Sequence, residues 1–251
     1  MKSIPPAEQL LLTLIRLRKK HGIKELSHSY SLGKGTTSET FTTWIGMLYV
    51  VLKRLFHLPR KHMNNRNKAP CYEKWKNLVI ILDCTEIFME TPSNLQACKQ
   101  AFSSYKHHIT SKFMVGCSCN CCINYVSAGW GGRASDKAIT ESSEDLLAWL
   151  SRDDMVMSDK GFLVASLLSG LGVNLVIPPF KGDQRPQFTG GELIESEEVS
   201  SARIHIERHI KCIKGFEILD GNYPLSMIDI IDQVFTVCAY LTNFQTSIID
   251  Y

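Results

Sequence analysis

Leu78-Val-Ile-Ile-Leu-Asp83 is a continuous apolar run closed by an aspartate, and its reading decides the fold. Apolar residues without alternation suit a central strand covered on both faces. The form recurs in Met155-Val-Met-Ser-Asp159. Between the two runs, Phe113 to Cys119 and Ile123 to Ala128 read as strands of a hairpin around Asn120-Cys121, and Gly131, Gly132 and Asp136 lead into a helix containing Leu146, Leu147 and Leu150. Beyond Asp159, Lys160-Gly161 turns the chain into a helix around Leu163 to Leu168. Leu175-Val-Ile177 is a last short strand before Pro178-Pro179. A strand, a hairpin and then alternating helices and strands predict a mixed α/β domain over residues 77–251.

After a loop containing Gly and Pro, the acidic stretch Glu192 to Glu198 leads into a helix over Ser200 to Lys214. Ile206, Ile210 and Ile213 recur at i, i+4 and i+7 and share one face. Glu207 stands about 100° from that stripe, where it can point along the edge of a core. It can equally pair with Arg203 and Lys211, its neighbours at i−4 and i+4. Ile228 to Leu241 predicts a final apolar helix over the sheet.

Upstream, Leu10, Leu11, Leu14, Ile15 and Leu17 mark an amphipathic helix that ends in basic residues near Gly22. A short helix from Lys24 to Tyr30, a turn at Leu32-Gly33 and a third helix capped by Thr36 or Thr37 complete a helix-turn-helix pattern over residues 1–55. The residues it would offer to DNA are Lys34, Thr36, Thr37 and Ser38. They suit phosphate contacts, while no Arg, Asn or Gln is present in this turn to read base edges. A small helical bundle packed against the next domain explains the pattern equally well. Residues 56–76 form a basic linker, either a solvated connector or a backbone contact for nucleic acid.

The net charge of +3 over 251 residues neither demands nor excludes a polyanionic partner. No secretory signal is evident, so the nine cysteines are expected to be reduced thiols. No apolar segment approaches the roughly 20 residues that span a bilayer, so no membrane partner is expected.

Each aspartate that ends a strand could simply cap the following turn. Three converging carboxylates would instead repel one another unless cations intervened, and hard oxygen donors suit Mg²⁺ or Mn²⁺ in a two-metal site. Six ordered blocks add weight to the second reading. Leu82-Asp-Cys-Thr-Glu86, Tyr105-Lys-His-His108, Gly129-Trp-Gly-Gly-Arg-Ala-Ser-Asp136, Ser158-Asp-Lys-Gly-Phe162, Arg203-Ile-His-Ile-Glu-Arg208 and Leu241-Thr-Asn-Phe-Gln245 resemble the DDE-superfamily endonuclease domain of Harbinger-type transposases.

The resemblance implies an RNase H-like fold preceded by a helix-turn-helix, with Asp83, Asp159 and Glu207 as catalytic acids that bind the metal ions. It implies supporting roles for Asp136, Lys160 and Arg203, and DNA contacts from Lys106 and His107. A metal-dependent endonuclease or transposase acting on transposon ends in the nucleus is the expected activity. Candidate partners are DNA, an accessory DNA-binding protein and a second copy of the chain. The alternative is a domesticated DNA-binding protein that keeps the fold without the chemistry, or a purely structural interaction protein. One departure is Cys121, at a turn position where the family usually has glycine. Its hairpin carries Cys117, Cys119, Cys121 and Cys122 in a CxCxCC spacing that gives no two separated ligand pairs, so no zinc site is expected there.

Overall fold

The structure, a computed structural model, describes residues 4–162, 164–179 and 189–245. The loop expected after Pro179, up to residue 188, and Leu163 of the expected helix lie outside these residues. Among the described residues the chain begins with α1 (Pro6–Lys19), α2 (Ile23–Ser29), α3 (Lys34–Leu55) and α4 (Lys61–Arg66). It continues through β1 (Leu78–Phe88), α5 (Leu95–Ala101), β2 (Phe102–Ser103), β3 (His108–Ser118), β4 (Ile123–Val126) and β5 (Trp130–Gly131). Then come α6 (Asp136–Glu141), α7 (Glu144–Trp149), β6 (Met155–Met157), α8 (Ala165–Gly170), β7 (Asn174–Val176), α9 (Gly190–Lys214) and α10 (Ile231–Leu241).

β1 is the central strand. It pairs antiparallel with β3 on one side and parallel with β6 on the other, and β6 pairs parallel with β7. The outer edge of β3 is covered end to end by β2, β5 and β4, which pair with His108–Ile109, Ser111–Lys112 and Val115–Cys117 in turn. This mixed sheet, antiparallel on one flank and parallel on the other, with helices around it, is RNase H-like.

The unbroken apolar run of β1 is accounted for by two cores. Leu78, Ile81 and Ile87 join the cluster under α9 and α10, while Val79, Ile80 and Leu82 join a second one with Ile139, Leu146 and Leu168. Burial on both faces removes the polar alternation of a half-exposed strand. β1 nevertheless runs five residues past Asp83, because Thr85 and Ile87 stay buried and Cys84 to Phe88 keep pairing with β3.

α9 starts ten residues earlier than Ser200 and takes in the acidic stretch. Thr189 and Glu192 form a reciprocal capping box that closes its N-terminus. Val199, Ala202, Ile206 and Ile213 are its buried apolar residues.

α10 corrects the expectation about apolar segments. Together with its flanking 3₁₀ turns it gives one helical run, Leu225–Phe244, 20 residues long with a mean hydropathy of 1.4, which is long and apolar enough to cross a bilayer. Here it is a core helix: Val234, Phe235, Val237, Cys238 and Ala239 are fully buried, and Phe235 stacks on Phe113 of β3 with ring centroids 4.0 Å apart. The polar residues Asp232, Gln233 and Thr236 within it obscure the length of the apolar run in the sequence.

The N-terminal helices share this core. Leu17, Phe41, Ile45 and Leu52 belong to the same cluster as α10, and Arg18 Nη1 donates to the Gly215 carbonyl at 3.0 Å just after α9. α3 begins at Lys34 with Gly33 as its N-cap, so neither Thr36 nor Thr37 caps it. The basic linker is packed as well as charged. Asn64 is buried, donating to Val79 O at 2.7 Å and accepting from Cys119 N at 3.0 Å, and Lys61 pairs with Asp154.

Candidate active site

The sheet register brings the two aspartates together. Ile81 of β1 pairs with Met157 of β6, so Asp83 and Asp159, each two residues further on, emerge at the same edge where β6 has ended and β1 runs on. α9 contributes the rest: Arg203 and Glu207 lie one turn apart on the same side of the helix. The Arg203 guanidinium, with its side chain only 9% exposed, stands among all three carboxylates. It is 4.0 Å from Asp83, 3.6 Å from Asp159 and 3.7 Å from Glu207.

Two of the acids also accept a backbone N–H. Asp83 accepts the Cys84 backbone N–H at 2.9 Å, and Asp159 accepts the Lys160 N–H at 2.6 Å. Burial pushes the Asp83 carboxyl up to about 6, with Arg203 and the Cys84 N–H pulling it down and the charges of Asp159 and Glu207 adding to the rise. The cation at the centre therefore only partly offsets the cost of keeping Asp83 charged.

These residues line a cleft of about 620 Å³ with Glu86, Tyr105, Lys106, Lys112, Asp136, Phe162 and Lys214. Asp136 pairs with Lys112 at 2.7 Å. Burial works against the Lys112 charge, but the hydrogen bond and charge of Asp136 outweigh it and raise its pKa. The Lys214 ammonium is pushed down by burial and by the charge of Lys106. Five carboxylates thus face four cations across the cleft. A larger cavity of about 720 Å³, lined by Tyr49, Trp130 and Asp232 among others, contains none of the three acids.

Residues 82–243 match the sequence model of a family described as DDE superfamily endonuclease. The match covers well over half of the 251 residues and encloses Asp83, Asp159 and Glu207. The chain belongs to the DDE superfamily endonuclease family. No curated protein matches it. Membership carries nuclease-type chemistry in general, and with it DNA as the kind of substrate.

In this DDE superfamily endonuclease the donor chemistry fits a divalent metal. Three oxygen acids surround one centre, and burial leaves the charge of Asp83 only partly offset. Among the described residues no three His, Cys, Asp or Glu side chains stand close enough together to hold one ion.

Among the other residues singled out, Lys106 lines the cleft, and His107 beside it is exposed in a left-handed conformation with φ 52°. Lys160 is half-buried next to Asp159. On α3, Lys34 and Ser38 are exposed and Thr36 is half-buried. Thr37 is fully buried, and its hydroxyl donates to Gly33 O at 3.0 Å, so it presents no surface to DNA in this conformation. Glu86, Lys112 and Lys214 also line the cleft, although no motif assigns them a role. Lys214 follows Glu207 by seven residues, two turns on the same helix face, and that spacing was the available signal.

Proposed function

We propose that this chain is a metal-dependent DNA endonuclease of the transposase type, similar to Harbinger-type transposases, that cuts phosphodiester bonds at transposon ends in the nucleus. The observation that supports it most is the convergence of Asp83, Asp159 and Glu207 on one guanidinium inside the family-matched segment. In this reading the three acids would hold Mg²⁺ or Mn²⁺. The ions, when bound, supply charge neutralisation and activation of a water or a 3′-hydroxyl.

The protein side chains do the positioning. β1 fixes Asp83, the Lys160 N–H orients Asp159, and α9 delivers Glu207 with Arg203 as the counter-charge. Lys106 and Lys214 at the cleft attract the phosphate backbone, with His107 beside them and Lys160 and Asp136 in support. Lys34, Thr36 and Ser38 on α3 provide a second contact with DNA, without base-specific readout. An accessory DNA-binding protein or a second copy of the chain would then supply target choice.

The test is strand cleavage of DNA carrying terminal inverted repeats, with Mg²⁺ or Mn²⁺. Asp159→Ala should lower the rate by about 100-fold or more while leaving the circular dichroism spectrum unchanged. Equal activity in that variant overturns the assignment. Salt-sensitive binding without metal-dependent cleavage in the unmodified chain would point instead to a domesticated DNA-binding protein.

A further inference from the structure

Residues 102–109 form a small hairpin at the outer edge of β3, in which Phe102 pairs with Ile109 and Ser103 with His108. Its turn is held in one conformation. The Lys106 N–H donates to the buried Ser103 hydroxyl at 3.1 Å, and His107 takes a left-handed φ of 52°. A Cβ on Gly132 would lie 3.0 Å from the Ser103 Cβ, so the backbone after β5 packs directly behind the hairpin. This fixed base presents two aromatic rings to solvent: Tyr105 is 79% exposed and Phe102 43%. The Lys106 ammonium stands over the Tyr105 ring, 4.5 Å from its centroid. Tyr105 and Lys106 line the cleft that holds the three acids, while Phe102 and Ser104 line a second hollow, of about 430 Å³, with Lys99 and Arg133.

An exposed aromatic ring forfeits the burial that would otherwise stabilise the fold, and here two of them flank cations at the mouth of the acidic cleft. A paired base is stacked on both faces within its duplex and offers a protein only edges and backbone. An unpaired base can instead lay its face on an aromatic ring while a cation holds its phosphate. We propose that this hairpin is a stacking platform for single-stranded DNA. One unpaired base stacks on Tyr105 with its phosphate at Lys106. The strand continues over Phe102 into the second hollow, where Lys99 and Arg133, both exposed, meet the next phosphates.

Ring and ammonium belong to consecutive residues of one turn, so base face and phosphate are held together while no base edge is read. The platform therefore selects an unpaired form of DNA and not a sequence. Arg133 is steadied for its part by its own backbone, whose N–H donates to the Gln100 carbonyl at 3.2 Å at the end of α5, the helix that carries Lys99. Strand binding stands apart from the chemistry. What it means for the substrate rests on the nuclease reading: the DNA is opened at the cleavage point, and Tyr105 is a positioning residue that holds a displaced base beside the acids.

The experiment measures fluorescence anisotropy of a labelled oligothymidylate and of a labelled duplex with the full chain in EDTA. Tyr105→Ala should weaken binding of the single strand by roughly 10-fold and of the duplex by less than roughly 2-fold, and Tyr105→Trp should keep the parent's affinity. Lys99→Ala and Arg133→Ala should each lower the slope of log K against log salt on the single strand by about 0.7. Unchanged single-strand affinity in Tyr105→Ala, or an equal loss on both forms of DNA, overturns the platform. With Mg²⁺, Tyr105→Ala should cut a fully paired transposon end roughly 10-fold more slowly than the parent and recover most of the rate when the bases at the cleavage point are mismatched. A deficit that mismatches do not relieve overturns the positioning role. No cleavage by the parent in Mg²⁺, with Tyr105-dependent strand binding intact, sinks the nuclease reading and leaves the platform.

Discussion

Asp83→Asn should make the fold more stable while removing the chemistry proposed for it. The carboxyl has moved from 3.8 to about 6 on folding, chiefly through burial. At neutral pH that displacement corresponds to about 3 kcal/mol by which the folded state disfavours the ionised side chain relative to the unfolded chain. The folded state binds this proton more tightly than the unfolded one. The penalty is therefore absent below about pH 4, opens between about pH 4 and 6, and is complete above that. Asparagine keeps the shape of the side chain, and its Oδ1 can still accept the Cys84 N–H, a contact of 2.9 Å.

The expected gain at pH 7 is up to about 3 kcal/mol, or roughly 6–12 °C in Tm for a chain of this size. Urea unfolding followed by circular dichroism in EDTA, for both proteins at pH 7 and pH 4, measures it. The gap should be present at pH 7 and close at pH 4. A variant no more stable than the parent at pH 7, or a gap that persists at pH 4, refutes the reasoning. Mg²⁺ adds a second arm: it should stabilise the parent and leave Asp83→Asn unmoved, because a ligand that binds only the folded state raises its stability by mass action.

Arg203→Ala should cost about 3–5 kcal/mol in EDTA, since it leaves three carboxylates without their shared cation, and added Mn²⁺ should recover part of that loss in a thermal melt. Asn64→Ala should cost about 2–4 kcal/mol in chemical denaturation, because the buried Val79 carbonyl and Cys119 N–H each lose their partner. Lys106→Ala should lower the slope of log K against log salt for DNA binding by about 0.9, as should Lys34→Ala, if each lysine contacts one phosphate. An unchanged slope for either removes that residue from the DNA interface.

The α/β class was legible from the two apolar runs ending in aspartate, because strands buried on both faces have no polar positions to confuse the reading. Their ends were less legible. Cys84, Thr85 and Glu86 break the apolar pattern, yet β1 continues because β3 still offers it hydrogen bonds, which is tertiary information. α9 was read ten residues short for the opposite reason. Its first three turns carry Glu192, Glu195, Glu197 and Glu198 with few apolar residues, although the Thr189-x-x-Glu192 capping box was present in the sequence. The three helices α1, α2 and α3 at the N-terminus were readable as spacing alone. That Leu17, Phe41 and Leu52 would join the same core as α10 depends on which apolar face finds which, and spacing does not encode that choice.

Glu207 shows how one residue can satisfy two readings at once. An arginine one turn before a glutamate on an exposed helix is an ordinary pair that contributes a few tenths of a kcal/mol. That pair exists here, at 3.7 Å. What periodicity could not show is that Arg203 is buried, and a buried guanidinium needs more than one carboxylate to offset its desolvation. Asp83 and Asp159 meet that need, and in doing so they are drawn to the same point as Glu207. Asp83 still sits at about 6, because the cost of its own burial exceeds what Arg203 and the Cys84 N–H return. The three salt bridges thus gather the acids around one cation that the protein itself supplies.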